Sequence, residues 1–395
     1  MSIFAAAMTG LGTGAISTVQ VFGDSAQAVI RQVFKPKGAK HPTFTTGEVL
    51  VGAICEADRI IDQVTIGCEG PSTFAINCHG NPLIVEMITQ LLLRRGAVLL
   101  TPEQFLAKTL MIQEPGNTIK VEAQLVQPKV KTLQGAKTVA DQINAGLAQK
   151  ARDWLGHMDE IALDTIKAEA TRILQESQAA KLVIYGCTAV LAGPPNSGKS
   201  TLLNYLAGRQ KSIVTDIEGT TRDWVEATCQ VGPLFVTLID TAGLVRELSW
   251  AEHTVEEAAQ GKTIEILNRA DLVLLVLDGS QPAEKFDDQI RERSAGKKVI
   301  TVLNKSDLPA KFDINKLPGI FSNTVRIIAK EGTGIEELKE TIQRTIRAAA
   351  FDVRQPVCFT ARQENLLKQL TTAQSAEHAA SIITELSSGP TTALA

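Results

Sequence analysis

No two cysteines in this sequence stand at a redox or metal-ligand spacing: Cys55, Cys68, Cys78, Cys187, Cys229 and Cys358 are scattered singly. The absence of a CxxC pair argues against a disulfide framework or a sulfur-bound metal and fits reduced thiols. There is no basic excess either. A formal net charge of -3 and an isoelectric point near 6.0 exclude a generally basic nucleic-acid surface, so any RNA contact must be local or shared with a partner. Long apolar runs are missing, since nothing approaches the roughly 18 apolar residues of a membrane span. Met1-Ser2-Ile3-Phe4-Ala5 also carries no basic run ahead of its apolar residues, as an export leader would. A cytoplasmic protein with no membrane segment is expected.

What is present is ordinary for a soluble globular chain: 395 residues, 44% hydrophobic and 21% charged, enough for two to three domains. One stretch fixes a chemistry. Gly193-Pro194-Pro195-Asn196-Ser197-Gly198-Lys199-Ser200 fits G-x-x-x-x-G-K-[ST], in which backbone N–H groups cradle phosphates, the lysine reaches the β/γ-phosphates and the hydroxyl ligates Mg²⁺. Thr188 to Ala192 reads as a buried strand before it, and Leu202, Leu203 and Leu206 give the apolar stripe of a helix after it. The phosphates would then sit on a helix N-terminus.

Residues 1–117 mix β-like runs (Ser17 to Phe22, Gln63 to Ile66) with one helix pattern, Leu83 to Leu93, and read as an α+β domain. Gly10-Leu11-Gly12-Thr13-Gly14 invites a nucleotide reading, but a lone glycine cluster reads better as a turn. Cys78-His79-Gly80 suggests a nucleophile pair, yet neighbouring positions seldom present two side chains to one substrate. Residues 118–184 turn helical, most clearly where Leu155, Met158, Ala162, Ile166, Ala170 and Ile173 recur at helical spacing. Residues 185–348 alternate strands and helices, the pattern of a doubly wound parallel sheet. Phe235 to Ile239, Leu272 to Leu277 and Val299 to Leu303 read as strands buried on both faces. Residues 349–395 return to helix: Thr360 and Gln363 suggest a capping box, and Leu366, Leu370, Ala373, Ala376, Ala380 and Ile383 make one stripe. The two helical parts would form one domain that the nucleotide domain interrupts, if residues 118–180 and 350–386 pack together.

Further motifs follow the phosphate loop in order. Asp240-Thr241-Ala242-Gly243 ends a strand, where the Asp can hold Mg²⁺ and the Gly243 amide can sense a γ-phosphate. Asn304-Lys305-Ser306-Asp307 ends another; its Asp can accept from guanine N1–H and the exocyclic amine, whereas adenine would offer an acceptor to a carboxylate. GTP, not ATP, is the expected nucleotide. Gly219-Thr220-Thr221-Arg222-Asp223 reads as part of a switch loop from Thr215 to Thr221, with Thr221 on Mg²⁺. The nucleotide set is therefore Asn196, Ser197, Gly198, Lys199, Ser200, Thr201, Thr215, Gly219, Thr220, Thr221, Asp240, Gly243, Asn304, Lys305 and Asp307, with Ala329 and Lys330 packing on the base. Ser200, Thr221 and Asp240 form the Mg²⁺ set. Leu244 stands where small regulatory GTPases carry a water-orienting Gln, which leaves Glu256 and a monovalent cation beside Asn196 as the alternatives.

These residues, most specifically Asn196 to Ser200, Ile213 to Ile217 running into Gly219 to Asp223, Asp240 to Gly243 and Asn304 to Asp307, resemble the MnmE (TrmE) family of tRNA modification GTPases. The resemblance implies an α/β P-loop GTPase domain inserted in an α-helical domain, preceded by an α+β N-terminal domain that dimerises and binds folate. It implies K⁺-assisted hydrolysis on G-domain pairing, with Asn196 and Thr215 at the K⁺ site and Glu256 orienting water; Glu256, Lys199 and Thr221 are then the catalytic set. A homodimer acting on tRNA wobble uridine with an FAD-dependent MnmG-type partner follows from the same likeness. A divergent dimeric GTPase switch or scaffold without the folate-dependent chemistry is the alternative. The chain departs from the family at Gly12-Thr13-Gly14, where an Arg-Gly pair is usual, and at Thr101 to Phe105 with Lys108, where an Arg-Pro-Gly-Glu-Phe run and a later Arg are usual. It also ends in Thr391 to Ala395 in place of a Cys-Ile-Gly-Lys motif. The N-terminal departures bear on 5-formyl-tetrahydrofolate and the C-terminal one on the tRNA modification chemistry; none bears on GTP.

Overall fold

The structure, a computed structural model, describes residues 3–10, 12, 14–38, 43–208, 225–240, 268–282, 296–314, 317–349 and 351–389. They form two units, one running up to Leu125 and joined by Ser388 and Gly389, the other running from Val126 to Ser387.

The first unit is built on strands β1 (Ile3–Ala7), β2 (Ile16–Gly23), β3 (Phe34–Pro36), β4 (Val49–Glu56), β5 (Arg59–Gly70), β6 (Thr73–His79) and β7 (Ala97–Leu99). Their order is β3-β4-β5-β6-β2-β1-β7, with β7 parallel to β1 and the other pairs antiparallel. Helices α1 (Ala26–Val33), α2 (Pro82–Arg94), α3 (Pro102–Gln113) and α4 (Thr118–Val126) complete it. The start of α2 is written in sequence: Asn81 accepts the Leu83 amide at 2.9 Å and Pro82 takes a position whose N–H has no helical partner. Thr101 and Gln104 make a reciprocal capping box on α3. Alternation along β6 puts Cys78 in the core while His79 is exposed.

The second unit holds helices α5 (Leu133–Asn144), α6 (Gly146–Gly156) and α7 (Leu163–Tyr185), then β8 (Cys187–Ala192), α8 (Lys199–Ala207), β9 (Val225–Val231), β10 (Leu234–Asp240), β11 (Leu272–Asp278), β12 (Lys298–Asn304), β13 (Thr324–Arg326), α9 (Ile335–Ile346), α10 (Ala361–Thr371) and α11 (Ala376–Ser388). The sheet order is β13-β12-β11-β8-β10-β9. All pairs are parallel except β9 with β10. The expected all-parallel sheet is thus corrected at one edge. Only Gly232 and Pro233 separate β9 from β10, and a two-residue link makes a hairpin, whereas a parallel return needs a long crossover. The central strands β8 and β11 are buried along nearly their whole length, as strands covered on both faces must be.

Two single stripes expected from the sequence are each two helices. Between α6 and α7 the chain turns at 157–162, with Ala162 exposed, and Trp154 fills the core where Leu155 is only half-buried. Between α10 and α11 it turns again, so the buried face of the last helix is Ala379, Ile382, Ile383 and Leu386, with Ala376 exposed. Thr360 caps α10 through the Gln363 amide at 3.2 Å, but the Gln363 side-chain Oε1 takes the Phe359 amide at 2.9 Å, one residue short of a box.

Within this unit α7 and α10 pack side by side. Lys181 pairs with Glu364, the Tyr185 hydroxyl donates to the Phe359 carbonyl at 2.5 Å, and the Cys358 amide donates to Ser177 Oγ at 2.8 Å. Gln142 of α5 is fully buried, and its oxygen accepts the amides of Leu147 and Val357 at 2.8 and 3.0 Å. A buried side-chain amide is tolerated because its groups are bonded. Gly186, at φ 89, turns the end of α7 directly into β8.

Candidate active site

The phosphate loop leaves β8 and enters α8 through three residues with left-handed backbone: Gly193 at φ 136, Asn196 at φ 60 and Gly198 at φ 100. The two glycines have no alternative. A Cβ on Gly193 would run into the Val276 carbonyl, and one on Gly198 into the Asn304 side-chain amide. The opening amides of α8 have no partner inside their own helix and gather at this point, which makes an anion seat.

Lys199 is 5% exposed. Its ammonium donates to the carbonyls of Gly193 and Pro194, both at 2.8 Å, and so spans the loop from beneath. Burial weakens its hold on the proton, while the Asp240 carboxylate works the other way. A phosphate placed over the loop would supply the negative charge that such a cation lacks.

Ser200 follows, and its hydroxyl donates to Asp240 Oδ2 at 2.6 Å, joining the start of α8 to the end of β10. A hydroxyl and a carboxylate oxygen held this close are the hard oxygen donors that Mg²⁺ prefers. The residues present therefore fit a magnesium ion.

The base side is organised by Asn304, 4% exposed at the end of β12. Its Nδ2 donates to the Ser197 carbonyl at 2.9 Å and its Oδ1 accepts the Ala329 amide at 2.9 Å. One side chain thereby ties the phosphate loop to the loop after β13. Next to it Lys305, at φ 60, sends its ammonium to Asp278 Oδ2 at 2.6 Å. Partial burial works against the Asp278 charge, but the Lys305 and Ser280 bonds win and hold its carboxyl below the usual range.

A cavity of about 940 Å³ opens between these loops. Its phosphate end is lined by Gly193, Asn196, Gly198, Lys199, Ser200 and Thr201, and its other end by Asn304, Lys305, Asp307, Ala329 and Lys330. Residues separated by more than a hundred positions in sequence are brought to one cleft at the carboxyl ends of the parallel strands, the ligand-binding edge of open α/β sheets. Ser197 of the loop is turned inward. It is 1% exposed, is absent from the cavity wall, and its hydroxyl has no hydrogen-bond partner. Thr215, Gly219, Thr220, Thr221, Gly243 and Glu256 lie outside the described residues.

Sequence reasoning missed Asp278 and Glu331. Glu331 lines the cavity, and Asp278 stands behind Lys305; each is a single carboxylate at a loop or strand end that matches no motif. The Cys78–His79 candidate is not a nucleophile pair. The Cys78 thiol donates to the Ser17 carbonyl at 3.4 Å and is pushed up to about 11, by burial first and then by Asp62. His79 turns instead to Asp62, Nδ1 to Oδ1 at 2.7 Å.

Known protein families match stretches of both units. The family model for the GTP-binding protein TrmE N-terminus matches residues 3–111, and that for the 50S ribosome-binding GTPase matches residues 188–305. The tRNA modification GTPase MnmE of Bacillus licheniformis is 30% identical over 393 residues, 89% of this chain and 84% of that protein. The protein of the same description from Lactobacillus acidophilus is 32% identical over 401 residues, 92% and 85% of the two chains, and that from Acetivibrio thermocellus 29% identical over 403 residues, 92% and 86%. The phosphate loop, the strand-end Asp240 and the Asn304 to Asp307 loop thus stand in a chain that is similar to these relatives along nearly its whole length: it belongs to the MnmE family and is a GTP-binding, GTP-hydrolysing enzyme.

Proposed function

We propose that this chain couples GTP hydrolysis to wobble-uridine modification of tRNA; its relatives from Acetivibrio thermocellus and Bacillus licheniformis are tRNA modification GTPases. The observation that carries the nucleotide half is the Asn304 bridge, which sets Lys199 and Ser200 at one end of a single cavity and Asp307 at the other. In this reading the loop amides and Lys199 hold the β/γ-phosphates, Ser200 and Asp240 hold Mg²⁺ with Thr221, and Asp307 pairs with the guanine edge while Lys305, Ala329 and Lys330 enclose the ring. Magnesium would supply charge neutralisation across the phosphates. Asn196, on the cavity wall, and Thr215 would hold K⁺, and Glu256 would orient the attacking water. Lys199, Thr221 and Glu256 are the catalytic set.

The remaining parts follow the family plan. The contacts of α7 with α10, and of Gln142 with Val357, support a helical domain interrupted by a G domain spanning about 185–348. The chain would work in the cytoplasm as a homodimer with an FAD-dependent MnmG-type partner. Among the described residues no helix is long and apolar enough to cross a membrane. The first unit gives less ground for folate. Thr101 and Gln104 are spent on the cap of α3, and the Lys108 ammonium lies over the Phe4 ring at 4.4 Å. Calorimetry with 5-formyl-tetrahydrofolate on the full chain is expected to give no heat of binding, and saturable heat would restore that cofactor.

Two measurements test the whole. Hydrolysis at fixed ionic strength should slow sharply when Na⁺ replaces K⁺; equal rates remove the K⁺ site. Mass spectrometry of tRNA from a strain lacking this chain should show unmodified wobble uridines. Unaltered tRNA with no second copy of the gene would favour the nucleotide-switch alternative.

A further inference from the structure

The turn that closes β11, Asp278-Gly279-Ser280, lies outside the cavity wall yet is bonded to the guanine loop at every level. The Gly279 amide donates to the Asn304 carbonyl at 2.9 Å, and the Gly279 carbonyl accepts the amides of Lys311 and Phe312 at 3.0 and 3.2 Å. The turn therefore backs both ends of the loop that carries Lys305 and Asp307. Asp278 adds the one charged contact. Its Oδ1 accepts from the Ser280 amide and hydroxyl at 3.0 and 2.7 Å, which fixes the carboxylate, and its Oδ2 is left for the Lys305 ammonium at 2.6 Å. The Asp278 side chain is only 15% exposed, against 36% for Lys305, so the anchor is the buried partner and the lysine the adjustable one.

A lysine beside a triphosphate seat has a competing destination. Its ammonium is drawn to the phosphates, and a flexible four-carbon stem lets it go there. Lys305 is useful to an uncharged base only if its charge is neutralised elsewhere and its stem is held straight along the cleft. Lys305 also has left-handed backbone, φ 60, so its side chain leaves the strand end in a direction an ordinary extended residue would not give. The register of the sheet sets this up: Asp278 of β11 is paired with Asn304 of β12, one residue before Lys305. Ordering the side chain before the ligand arrives removes part of the entropy cost of binding.

We propose that Asp278 is a positioning residue for guanine recognition, acting through Lys305. The inference rests on the reading of Lys305 as a wall of the base site. Asp278 does not touch the nucleotide; it pins the Lys305 ammonium away from the phosphates and presents its methylenes to the ring. Ser280 is the brace that keeps the carboxylate turned toward Lys305.

The experiment is a double-mutant cycle on the full chain, read by calorimetry with GDP and by competition with inorganic pyrophosphate, which reports on the phosphate loop alone. Asp278→Ala should weaken GDP binding about ten-fold, as coupled neighbours do, and leave pyrophosphate affinity unchanged. Lys305→Ala should weaken GDP at least as much, and adding Asp278→Ala to it should cost nothing more. Asp278→Glu should recover part of the loss. Should Asp278→Ala fold poorly, Asp278→Asn keeps the volume and the Ser280 bonds while removing the charge, and the same pattern is expected. An Asp278 effect of equal size with and without Lys305, or an equal loss of pyrophosphate affinity, means a general structural role and overturns the proposal. No effect of Asp278→Ala on GDP overturns it as well. If Lys305→Ala itself leaves GDP affinity unchanged, the base-wall reading fails, and the role of Asp278 with it.

Discussion

The side-chain amide of Asn304 donates to the main-chain carbonyl of Ser197 at 2.9 Å, although the two stand 107 positions apart in sequence. A strand-end asparagine on the guanine side thus holds the shape of the phosphate loop from behind, and through the Ala329 amide it holds the base loop as well.

Asn304→Ala removes both bonds and leaves a buried carbonyl and a buried amide without partners. Each orphaned group costs about 1–3 kcal/mol, so we predict a loss of about 2–4 kcal/mol in urea unfolding without nucleotide, together with weakened GDP binding. A loss below about 1 kcal/mol would mean that water replaces the bridge.

Ser197 gives a prediction of the opposite sign. Its hydroxyl is buried with no partner, whereas the backbone atoms around it are committed to the loop. Ser197→Ala deletes an unpaired polar group and keeps the backbone, so the nucleotide-free protein should gain on the order of 1 kcal/mol and melt a few degrees higher. A lower melting temperature would show that the hydroxyl has a partner after all.

Much of this site could be read from the sequence, and the reason is physical. β8, β10, β11 and β12 are apolar along most of their length, so the polar residues that close them, Asp240 and Asn304 among them, mark the strand ends where ligands bind. Asp278 was not legible. A single carboxylate after a buried strand matches no motif, and its meaning comes only from the β11–β12 register that brings it to Lys305. The helix breaks after Gly156 and Thr371 were hidden for a different reason: apolar residues keep helical spacing across both turns, so periodicity alone could not see them. The antiparallel edge strand did leave a signal, Gly232-Pro233, which the motif-led reading of a parallel sheet overrode.

Asp307 lines the cavity on the base side, exposed and available to a purine edge. Asp307→Asn replaces one acceptor oxygen by an N–H₂ donor, which suits the carbonyl of xanthine where guanine has its exocyclic amine. We expect preference to move from GDP to xanthosine diphosphate by roughly two orders of magnitude, as sites that leave a polar group unpaired discriminate strongly. Competition calorimetry with both nucleotides checks it, and an unchanged ratio would detach Asp307 from base recognition.

Ser200 and Asp240 make a prediction about magnesium. With the hydroxyl gone in Ser200→Ala, Asp240 keeps its charge but loses the 2.6 Å contact that places it beside the phosphate helix. GTP affinity of the natural protein should fall on adding a chelator, and GTP affinity of Ser200→Ala should already be low and respond little. A variant that responds to chelator as strongly as the natural chain would place the metal elsewhere.

Acid stability should report on the helical contact instead. Glu364 of α10 is bonded first by Lys181 of α7 and then by Lys368, and together they lower its carboxyl from 4.5 to about 2. Because the folded value is the lower one, the unfolded chain takes up the proton first as acid is added, so this contribution to stability is whole above the unfolded value and drains away as the pH falls from there toward 2. Glu364→Gln removes the charge at every pH and should therefore lower the urea midpoint near neutrality. The gap between variant and natural chain should stay level down to about pH 5 and close progressively as the pH falls from there to about 2. Lys181→Met should behave in the same way, because the pair fails from either end. A gap that widens on acidification would require a group with a raised folded value, and the α7–α10 ion pair would then not be what holds the two helices at neutral pH.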